Sequence, residues 1–334
     1  MRIGWKPKSS DESVASVRFR CLSPLREMQR TGFPVELFDP SAAREYDLVV
    51  FSKLYSAKDR ALAAELSAAG VSTALDLSDN HIYNPRQLAQ YHQAADELRE
   101  MTKVIDQLIC CSQPLAQMMR DALDLKRPPM VVGDAVEALT LPADARDPFE
   151  LGPDGVFRLV WFGSHGSPNA EAGMSDLLRL RPHFARAAKR RRCELVVLSN
   201  NETLYQELAP QLPIASRYRD WQPESFMEEL GRANLVVVPI TPNPFTKCKT
   251  NNRLATTLWY GIPVVSDRIP AYDPLSEFAV LSDWERGFDL ALSFSREMAL
   301  RTTAGMAFVR AHYNTQAIAA EWRRAFKRII DGRR

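Results

Sequence analysis

Short apolar runs alternate with longer amphipathic segments along most of the chain. In the first half these runs predict strands at the following positions: Arg2–Trp5, Pro34–Leu37, Leu48–Phe51, Ser72–Asp76, Gln107–Cys111 and Met130–Gly133. The pattern then restarts, and it predicts a second series of strands: Arg158–Phe162, Glu194–Leu198, Leu235–Ile240 and Pro263–Ser266. Runs of Val, Leu and Ile without a polar face are typical of parallel strands that are covered by helices on both faces. The pattern therefore predicts an α/β fold.

The two series of strands are separated by residues 139–155, LTLPADARDPFELGPDG, which are rich in Pro, Asp and Gly and show no periodicity. A chain of 334 residues is also longer than one hydrophobic core normally serves. We predict two doubly wound, Rossmann-like parallel-sheet domains that face each other across a cleft. The N-terminal domain spans residues 1–140, a hinge or linker 141–155, and the C-terminal domain 156–316. A helix at 317–334 returns to the N-terminal domain.

Composition narrows the class of protein. The chain has 43 basic and 41 acidic residues, so it has no chain-wide field that would attract nucleic acid or a membrane. Its five cysteines lack the spacing of a zinc site, no apolar signal region opens the chain, and no apolar window reaches membrane length. We therefore expect reduced thiols in a cytoplasmic protein.

The last predicted helix has one apolar face, which contains Ala319, Trp322, Phe326 and Ile330, and its other face is basic. A face of this kind normally packs on a domain core, and this is the reading that we favour. Contact with the inner face of a membrane is the alternative.

The segment KTNNRLATTLWYGIPVV, residues 249–265, contains the first candidate site. Read as a helix that ends at Gly261, it places four side chains on one stripe: Lys249, Arg253, Thr256 and Tyr260. Cations at a helix start are locally unfavourable, but together with free N–H groups they suit a diphosphate. We predict that Lys249, Asn252 and Arg253 bind a diphosphate, and a solvated basic face is the alternative.

A glycine turn follows the first strand of the second series. Gly163 lets the backbone approach a ligand closely, and Ser164 and His165 supply hydrogen-bond donors. We predict that this turn, with Thr256 and Tyr260, contacts the ligand of the second domain, and a plain turn is the alternative. The longer glycine fingerprint of dinucleotide-binding enzymes is absent from the sequence.

The loop after the strand Ser72–Asp76 contains Asp79 and His81. A carboxylate, or an imidazole oriented by one, can act as a general base for a hydroxyl group. The alternative is that Asp79 caps a turn and His81 is a structural hydrogen-bonding residue. The sequence shows too few ligands here for a metal site.

The loop after the first strand contains Ser16, Arg18 and Arg20. Hydroxyl and guanidinium groups in such a loop suit a polar or phosphorylated acceptor. The alternative is that the two arginines pair with nearby acids such as Asp11 or Glu12.

Four segments, in this order, resemble the group 1 GT-B glycosyltransferases: residues 111–137, 159–163, 218–239 and 249–265. The resemblance covers most of the chain and implies the GT-B fold. It also implies the metal-independent, retaining transfer of a sugar from a nucleoside-diphosphate sugar to a hydroxyl acceptor, without a cofactor. Such acceptors include cell-surface polysaccharides and lipid-linked sugars. By matching position, Lys249 and Arg253 would hold the donor diphosphate in the second domain and stabilise the departing nucleotide.

The chain departs from this family in its acidic residues. Many members carry two glutamates in the region that corresponds to 249–265, but Thr256 occupies the second position and residues 241–266 contain no acid. Asn234 stands where an aspartate is usual. Two further hypotheses therefore remain. One is a non-catalytic protein that binds sugar nucleotides or acts as a scaffold. The other is a nucleotide-sugar epimerase, although such an enzyme needs more acids and histidines than the second domain offers.

Overall fold

The structure is a computed structural model that describes residues 1–12, 14–168 and 170–333, and it contains two compact units. The first unit comprises Met1–Glu137, Lys247–Thr250 and His312–Arg334, and the second comprises Ala138–Thr246 and Asn251–Ala311. Each unit is built on a six-stranded parallel sheet flanked by helices. The predicted fold class, two Rossmann-like parallel-sheet units, is confirmed.

The sheet of the first unit has the strand order β2-β1-β3-β4-β5-β6. Its strands are β1 Ile3–Pro7, β2 Val35–Leu37, β3 Leu48–Ser52, β4 Ser72–Leu77, β5 Gln107–Cys110 and β6 Met130–Val131. The chain passes from β1 to β2 on one side, and then places β3 on the other side of β1. The topological switch point therefore lies between β1 and β3, where loops diverge at the carboxyl ends of the strands.

Helices connect these strands. They are α1 Ala15–Val17, a π-helical turn Arg18–Leu22, α2 Ser23–Arg30, α3 Ala57–Ala68, α4 Ala89–Val104 and α5 Gln113–Ala122, with a 3-10 turn at Pro40–Glu45. Ser56 and Asp59 form a reciprocal capping box at the start of α3. At its end, Gly70 adopts a φ of +87°, a left-handed conformation that glycine tolerates best.

Alternate residues of the strands pack on opposite faces of the first sheet, as the two-residue period requires. Ile3 and Val50 belong to the hydrophobic cluster on one face, together with α2 and the last helix of the chain. Val49 and Phe51 belong to the cluster on the other face, together with α3, α4 and α5. Both faces are therefore covered.

The last helix, α12 Thr315–Asp331, lies in the first unit. Its Trp322 ring packs edge-on against Trp5 at 4.7 Å between centroids, and Phe326 packs against the same Trp5 ring at 5.4 Å. The four residues of the predicted apolar face are all buried. Packing within the unit therefore uses the face that a membrane contact would need.

The sheet of the second unit has the strand order β12-β11-β10-β7-β8-β9. Its strands are β7 Phe157–Phe162, β8 Cys193–Ser199, β9 Ala215–Asp220, β10 Leu235–Val238, β11 Val264–Ser266 and β12 Val280–Leu281. The chain runs from β7 outward to β9, and then places β10 on the other side of β7. The switch point of this sheet lies between β7 and β10.

The helices of the second unit are α6 Arg181–Arg190, α7 Glu202–Leu208, α8 Pro223–Leu230, α9 Asn252–Trp259, α10 Trp284–Leu292 and α11 Arg296–His312, with 3-10 turns at Met174–Leu180, Ala209–Gln211 and Pro270–Leu275. A further 3-10 turn covers Thr246–Cys248. Within the described residues, no helix combines the length and apolar character that crossing a membrane requires.

One local prediction was wrong, and two strands were missed. The helix that we placed from residue 249 begins only at Asn252, so Lys249 precedes it. The edge strands β9 and β12 were not predicted. The strand β9 reads ASRYRD, in which polar residues interrupt the apolar pattern, and charges of this kind are common on edge strands.

The packing of α12 leads to a prediction about stability. Phe326→Ala should lower the free energy of unfolding by about 3–5 kcal/mol, because it removes a fully buried ring and leaves a cavity. Urea unfolding, followed by tryptophan fluorescence, measures the change. Lys327→Ala, on the exposed side of the same helix, is the control and should change the unfolding free energy by less than about 0.5 kcal/mol. Equal effects of the two variants would contradict this packing.

Candidate functional site

Arg253 lies at the switch point of the second sheet. It is in the first turn of α9, which follows β10, and its guanidinium reaches the end of β7. The Nη1 atom of Arg253 lies 3.5 Å from the position that a Cβ at Gly163 would occupy. The same guanidinium hydrogen-bonds the buried hydroxyl of Tyr272. Burial raises the pKa of Tyr272, and the Arg253 charge partly offsets this, so the phenol remains a neutral partner.

The glycine turn after β7 is held in a defined conformation. The Nδ1 atom of His165 donates a hydrogen bond of 2.9 Å to Asn200 Oδ1, which follows β8. The His165 carbonyl accepts a hydrogen bond from Met174 N at 3.0 Å. Gly173 has a φ of +99°, and a Cβ there would approach the His165 carbonyl to 2.5 Å. Only glycine at 173 therefore permits this close packing of the loop.

Ser164 and His165 follow Gly163 at the end of β7. The Ser164 hydroxyl is exposed and donates to the Gly166 carbonyl at 3.3 Å. With Nδ1 bound to Asn200, Nε2 of His165 is the unprotonated nitrogen in the neutral ring. The turn thus carries one exposed hydroxyl and one imidazole directly after Gly163, the residue that Arg253 approaches.

The stripe predicted along α9 does not form. Lys249 precedes the helix and belongs to the first unit, whereas Asn252 and Arg253 occupy its first turn in the second unit. Thr256 is only 8% exposed, and the Tyr260 hydroxyl donates to the Leu139 carbonyl at 3.0 Å. The reason is the helix start, because the stripe requires that residue 249 be helical.

An aspartate that the sequence analysis did not consider lies directly after β11. Asp267 is buried, and it accepts hydrogen bonds from Ile240 N at 2.7 Å, from Arg179 at 2.8 Å and from Trp284 Nε1 at 3.1 Å. Its position immediately after a buried strand was the signal that could have identified it. These bonds give Asp267 a structural role, and it does not substitute for the acids that the family pattern lacks.

The first unit contains a pocket of about 380 Å³ at its own switch point. Pro7 at the end of β1 and Ser52 at the end of β3 both line it, so the pocket lies between the two strands where the chain changes direction. The residues that line the pocket are of two kinds. The apolar lining comprises Pro7, Val14, Val17 and Tyr55; the polar and charged lining comprises Lys8, Ser9, Ser16, Arg20, Ser52, Lys53, Asp76, Ser78 and His81.

His81 is a neutral imidazole in this pocket. Its Nδ1 atom lies 2.8 Å from the hydroxyl of Tyr55. Burial, which Asp79 opposes and the Lys53 and Lys249 ammonium groups reinforce, lowers the pKa of His81 to about 4. Burial raises the pKa of Tyr55 to about 12. Near neutral pH the pair is therefore uncharged, and one ring nitrogen can accept a proton.

Asp79 is held between two lysines. Its carboxylate accepts a hydrogen bond of 2.5 Å from Lys53 Nζ and a second from Lys249 Nζ, which lies in the same unit. Burial alone would raise the pKa of Asp79, but the two ammonium groups outweigh burial and hold it well below its usual range. Such a carboxylate is a poor proton acceptor. These contacts favour His81 over Asp79 as the base of the predicted pair.

Arg20 is fully engaged within the first unit. The side chain is 1% exposed, and its Nη2 atom binds Asp76 at 2.5 Å. Its Nη1 atom donates to the Val132 carbonyl at 2.5 Å and to Asp134 at 3.1 Å. The guanidinium also lies 5.0 Å from the Trp322 ring centroid. The expected pairing with Asp11 or Glu12 is wrong for Arg20, because the buried carboxylates take its donors.

Arg18 is also paired. Its Nε atom donates to Glu137 at 2.7 Å, and its Nη1 atom donates to the Glu12 carbonyl at 2.6 Å. Arg18 therefore contacts the backbone of Glu12, one of the two acids named for it. Its ion pair is with Glu137, which we did not predict. Ser16 lines the pocket. Of the three predicted acceptor-side residues, Ser16 and Arg20 are among the residues that line this pocket, and Arg18 is not.

Lys53 and Tyr55 were missed. Lys53 directly follows the buried run LVVFS, so the rule that selects residues after strands would have identified it. Within the described parts of the chain, no group of three or more His, Cys, Asp or Glu side chains is arranged to hold a metal ion.

The structure is similar to solved glycosyltransferases. HepE of Anabaena, solved in complex with UDP-glucose, has a TM-score of 0.66 at 14% identity over 98% of this chain and 100% of that chain. A glycosyltransferase from Rickettsia africae has a TM-score of 0.65 at 10% identity, over 98% of each chain. Sucrose-phosphate synthase from Thermosynechococcus elongatus has a TM-score of 0.62 at 15% identity, over 86% of this chain and 75% of its own.

No protein-family model matches the sequence, and neither does any curated protein sequence. The likeness to the solved structures therefore defines the fold. The chain has the GT-B fold of these glycosyltransferases, as the sequence resemblance implied.

The Arg20 network makes the second prediction. Arg20→Met should lower the free energy of unfolding by about 3–5 kcal/mol, because it leaves the buried Asp76 and Asp134 without their cation. Urea unfolding measures the loss. Arg26→Met is the matched control, since Arg26 forms an exposed pair with Glu12, and its effect should stay below about 1 kcal/mol. A loss as small as that of the control would show that the network does not stabilise the unit.

Proposed function

We propose that the protein transfers a sugar from a nucleoside-diphosphate sugar to a hydroxyl group of an acceptor. One observation carries this proposal. Each parallel sheet has side chains that could bind a ligand at its switch point: a cation in the second unit, and a pocket with a neutral imidazole in the first. The GT-B fold makes sugar transfer the reaction that accounts for both. The solved structures of HepE with UDP and UDP-glucose support a nucleotide sugar as donor.

The donor would bind at the switch point of the second unit. The first turn of α9 has no acidic residue and its N-cap side chain makes no capping bond, so its N–H groups favour an anion. The Arg253 guanidinium adds a positive charge, and its attraction to the diphosphate grows as negative charge develops on the leaving group. Asn252 and the turn Gly163–His165 would contact the phosphates or the sugar. No metal is required for this stabilisation. The role of Lys249 in binding the diphosphate stays a prediction.

The acceptor would bind in the pocket of the first unit. The acceptor oxygen attacks the anomeric carbon of the donor, the bond from that carbon to the diphosphate oxygen breaks, and the nucleoside diphosphate leaves with the bonding electrons. We assign the released proton to the free ring nitrogen of His81, whose orientation Tyr55 fixes. Retention of the anomeric configuration rests on the family resemblance alone, and the anomeric signal of the product in NMR decides it.

A non-catalytic binding protein is the second candidate. The absence of acids from residues 241–266 favours it, and Asp267 is engaged elsewhere. Transfer or hydrolysis of a nucleotide sugar that binds the protein distinguishes the two functions. Binding without turnover over many hours, with a range of acceptors, would select the non-catalytic function.

Arg253 provides the test of donor binding. UDP and UDP-glucose should raise the melting temperature, because a ligand at 100 times its Kd adds about 2.7 kcal/mol to the free energy of unfolding. Arg253→Gln should raise Kd by about ten- to a hundredfold, as the loss of a charge-assisted hydrogen bond does. Arg268→Gln, which removes a 61% exposed cation after β11, is the control and should leave Kd unchanged. Lys249→Ala tests the remaining predicted contact separately. If neither nucleotide shifts the melting temperature at millimolar concentration, the proposal fails.

His81 provides the test of the chemical step. His81→Gln should lower kcat by about 100-fold while the Kd for UDP stays constant, because the variant keeps a polar side chain but cannot accept the proton. In the wild type the base must be unprotonated, and its pKa of about 4 lies far below neutrality. The rate should therefore show no loss from this group between pH 8 and pH 5.5. A kcat within threefold of the wild type would assign the proton to the departing diphosphate instead.

A further inference from the structure

The pocket of the first unit has cations that are not neutralised in the way that Arg18 and Arg20 are. Those two arginines, which the sequence offered for a phosphorylated acceptor, are bound to carboxylates of the fold. The lysines of the pocket differ. Lys8 forms no ion pair with the part of the chain that the structure describes, and Lys53 shares the single carboxylate of Asp79 with Lys249.

The charges around His81 show the same imbalance. Three ammonium groups act on its ring, from Lys8, Lys53 and Lys249, against one carboxylate, that of Asp79. Asp76 also lines the pocket, but with Asp134 it is paired with Arg20, and Glu97 acts on Tyr55. The region of the pocket beside the imidazole therefore has a positive potential, which a negatively charged ligand would satisfy.

The backbone of Lys53 adds an independent observation. Lys53 has a φ of +56°, in the left-handed region that glycine or asparagine adopts more readily. Its N–H is held by the Asp76 carbonyl at 2.9 Å, which fixes this conformation next to the pocket. Backbone strain of this kind concentrates at functional sites. A lysine is thus kept where local conformation favours a smaller residue, and this lysine is one of the residues that line the pocket.

We propose that the acceptor carries an anionic group, a phosphate or a carboxylate, which binds Lys8 and Lys53 in this pocket. The inference rests on the proposed function, because it takes the pocket to be the acceptor site. The apolar part of the lining, formed by Pro7, Val14 and Val17, would contact the less polar face of the sugar. The anionic group would thereby position a hydroxyl near His81.

Binding of three related sugars to the full chain, in the presence of UDP, tests the proposal by calorimetry. Glucose 6-phosphate and glucuronate are the anionic probes, and glucose is the neutral reference. At least one anionic probe should bind with a Kd at least tenfold lower than that of glucose, and higher salt should weaken only that probe. The phosphate and carboxylate arms identify which anion the pocket prefers.

The variants locate the effect. Lys8→Gln combined with Lys53→Asn should raise the Kd of the anionic probe about tenfold or more, because both ion pairs are lost. Asparagine tolerates the left-handed backbone at 53, so the fold is kept. Lys58→Gln, an exposed lysine on α3, is the control and should change nothing.

The outcomes separate this inference from the proposed function. The inference is overturned if the anionic probes bind no more tightly than glucose, or if they do not bind at about 50 mM. Either result leaves donor binding through Arg253 unaffected. If the double variant weakens UDP and spares the anionic probe, the lysines serve the donor, and the inference is again overturned. If the wild-type protein does not bind UDP, the proposed function itself is contradicted.

Discussion

The structure depends on one topological constraint. In each parallel sheet the chain must leave the first strand towards one side and later return to the other, so the loops at that point diverge and leave room between them. Arg253 with Gly163 lies at this point in the second unit, and the pocket beside Ser52 lies at this point in the first. The candidate chemistry is located by strand order, and side-chain identity then decides what each position can bind.

Charge pairing decides which of these side chains remain available. In the first unit the buried Asp76 and Asp134 accept the hydrogen bonds of Arg20. This cation therefore stabilises the fold and is not available to bind a ligand. Asp79 serves two lysines at once, which leaves positive potential beside His81 and keeps that ring neutral. The His81 ring is therefore unprotonated near neutral pH, although the same lysines weaken it as a base. The local charges thus favour an anionic group beside His81, which is what the proposed acceptor provides.

The sequence predicted ten of the twelve strands in the described residues because their apolar runs are local, and it predicted the face of α12 because Trp322 and Phe326 follow a helical period. It located residues after strands correctly but could not decide their partners. Arg20 binds residues 56 and 114 positions away, and contacts of that separation leave no local signal. Lys249 was misplaced for a related reason. The helical period continues through residue 249, yet α9 begins at Asn252, and Lys249 pairs with Asp79, which is 170 residues away in the sequence.

The missing acids bear on binding more than on catalysis. A carboxylate that holds the ribose hydroxyls contributes equally in the ground state and in the transition state, so its absence raises the donor Kd without lowering the rate of the chemical step. Charge on the departing diphosphate develops only as the bond breaks, and a cation and helix N–H groups can offset it. Under the proposed function, Arg253 and the start of α9 would supply these groups in the second unit, whereas a ribose carboxylate would mainly improve affinity. For that reason the absence of acids between residues 241 and 266 is compatible with catalysis.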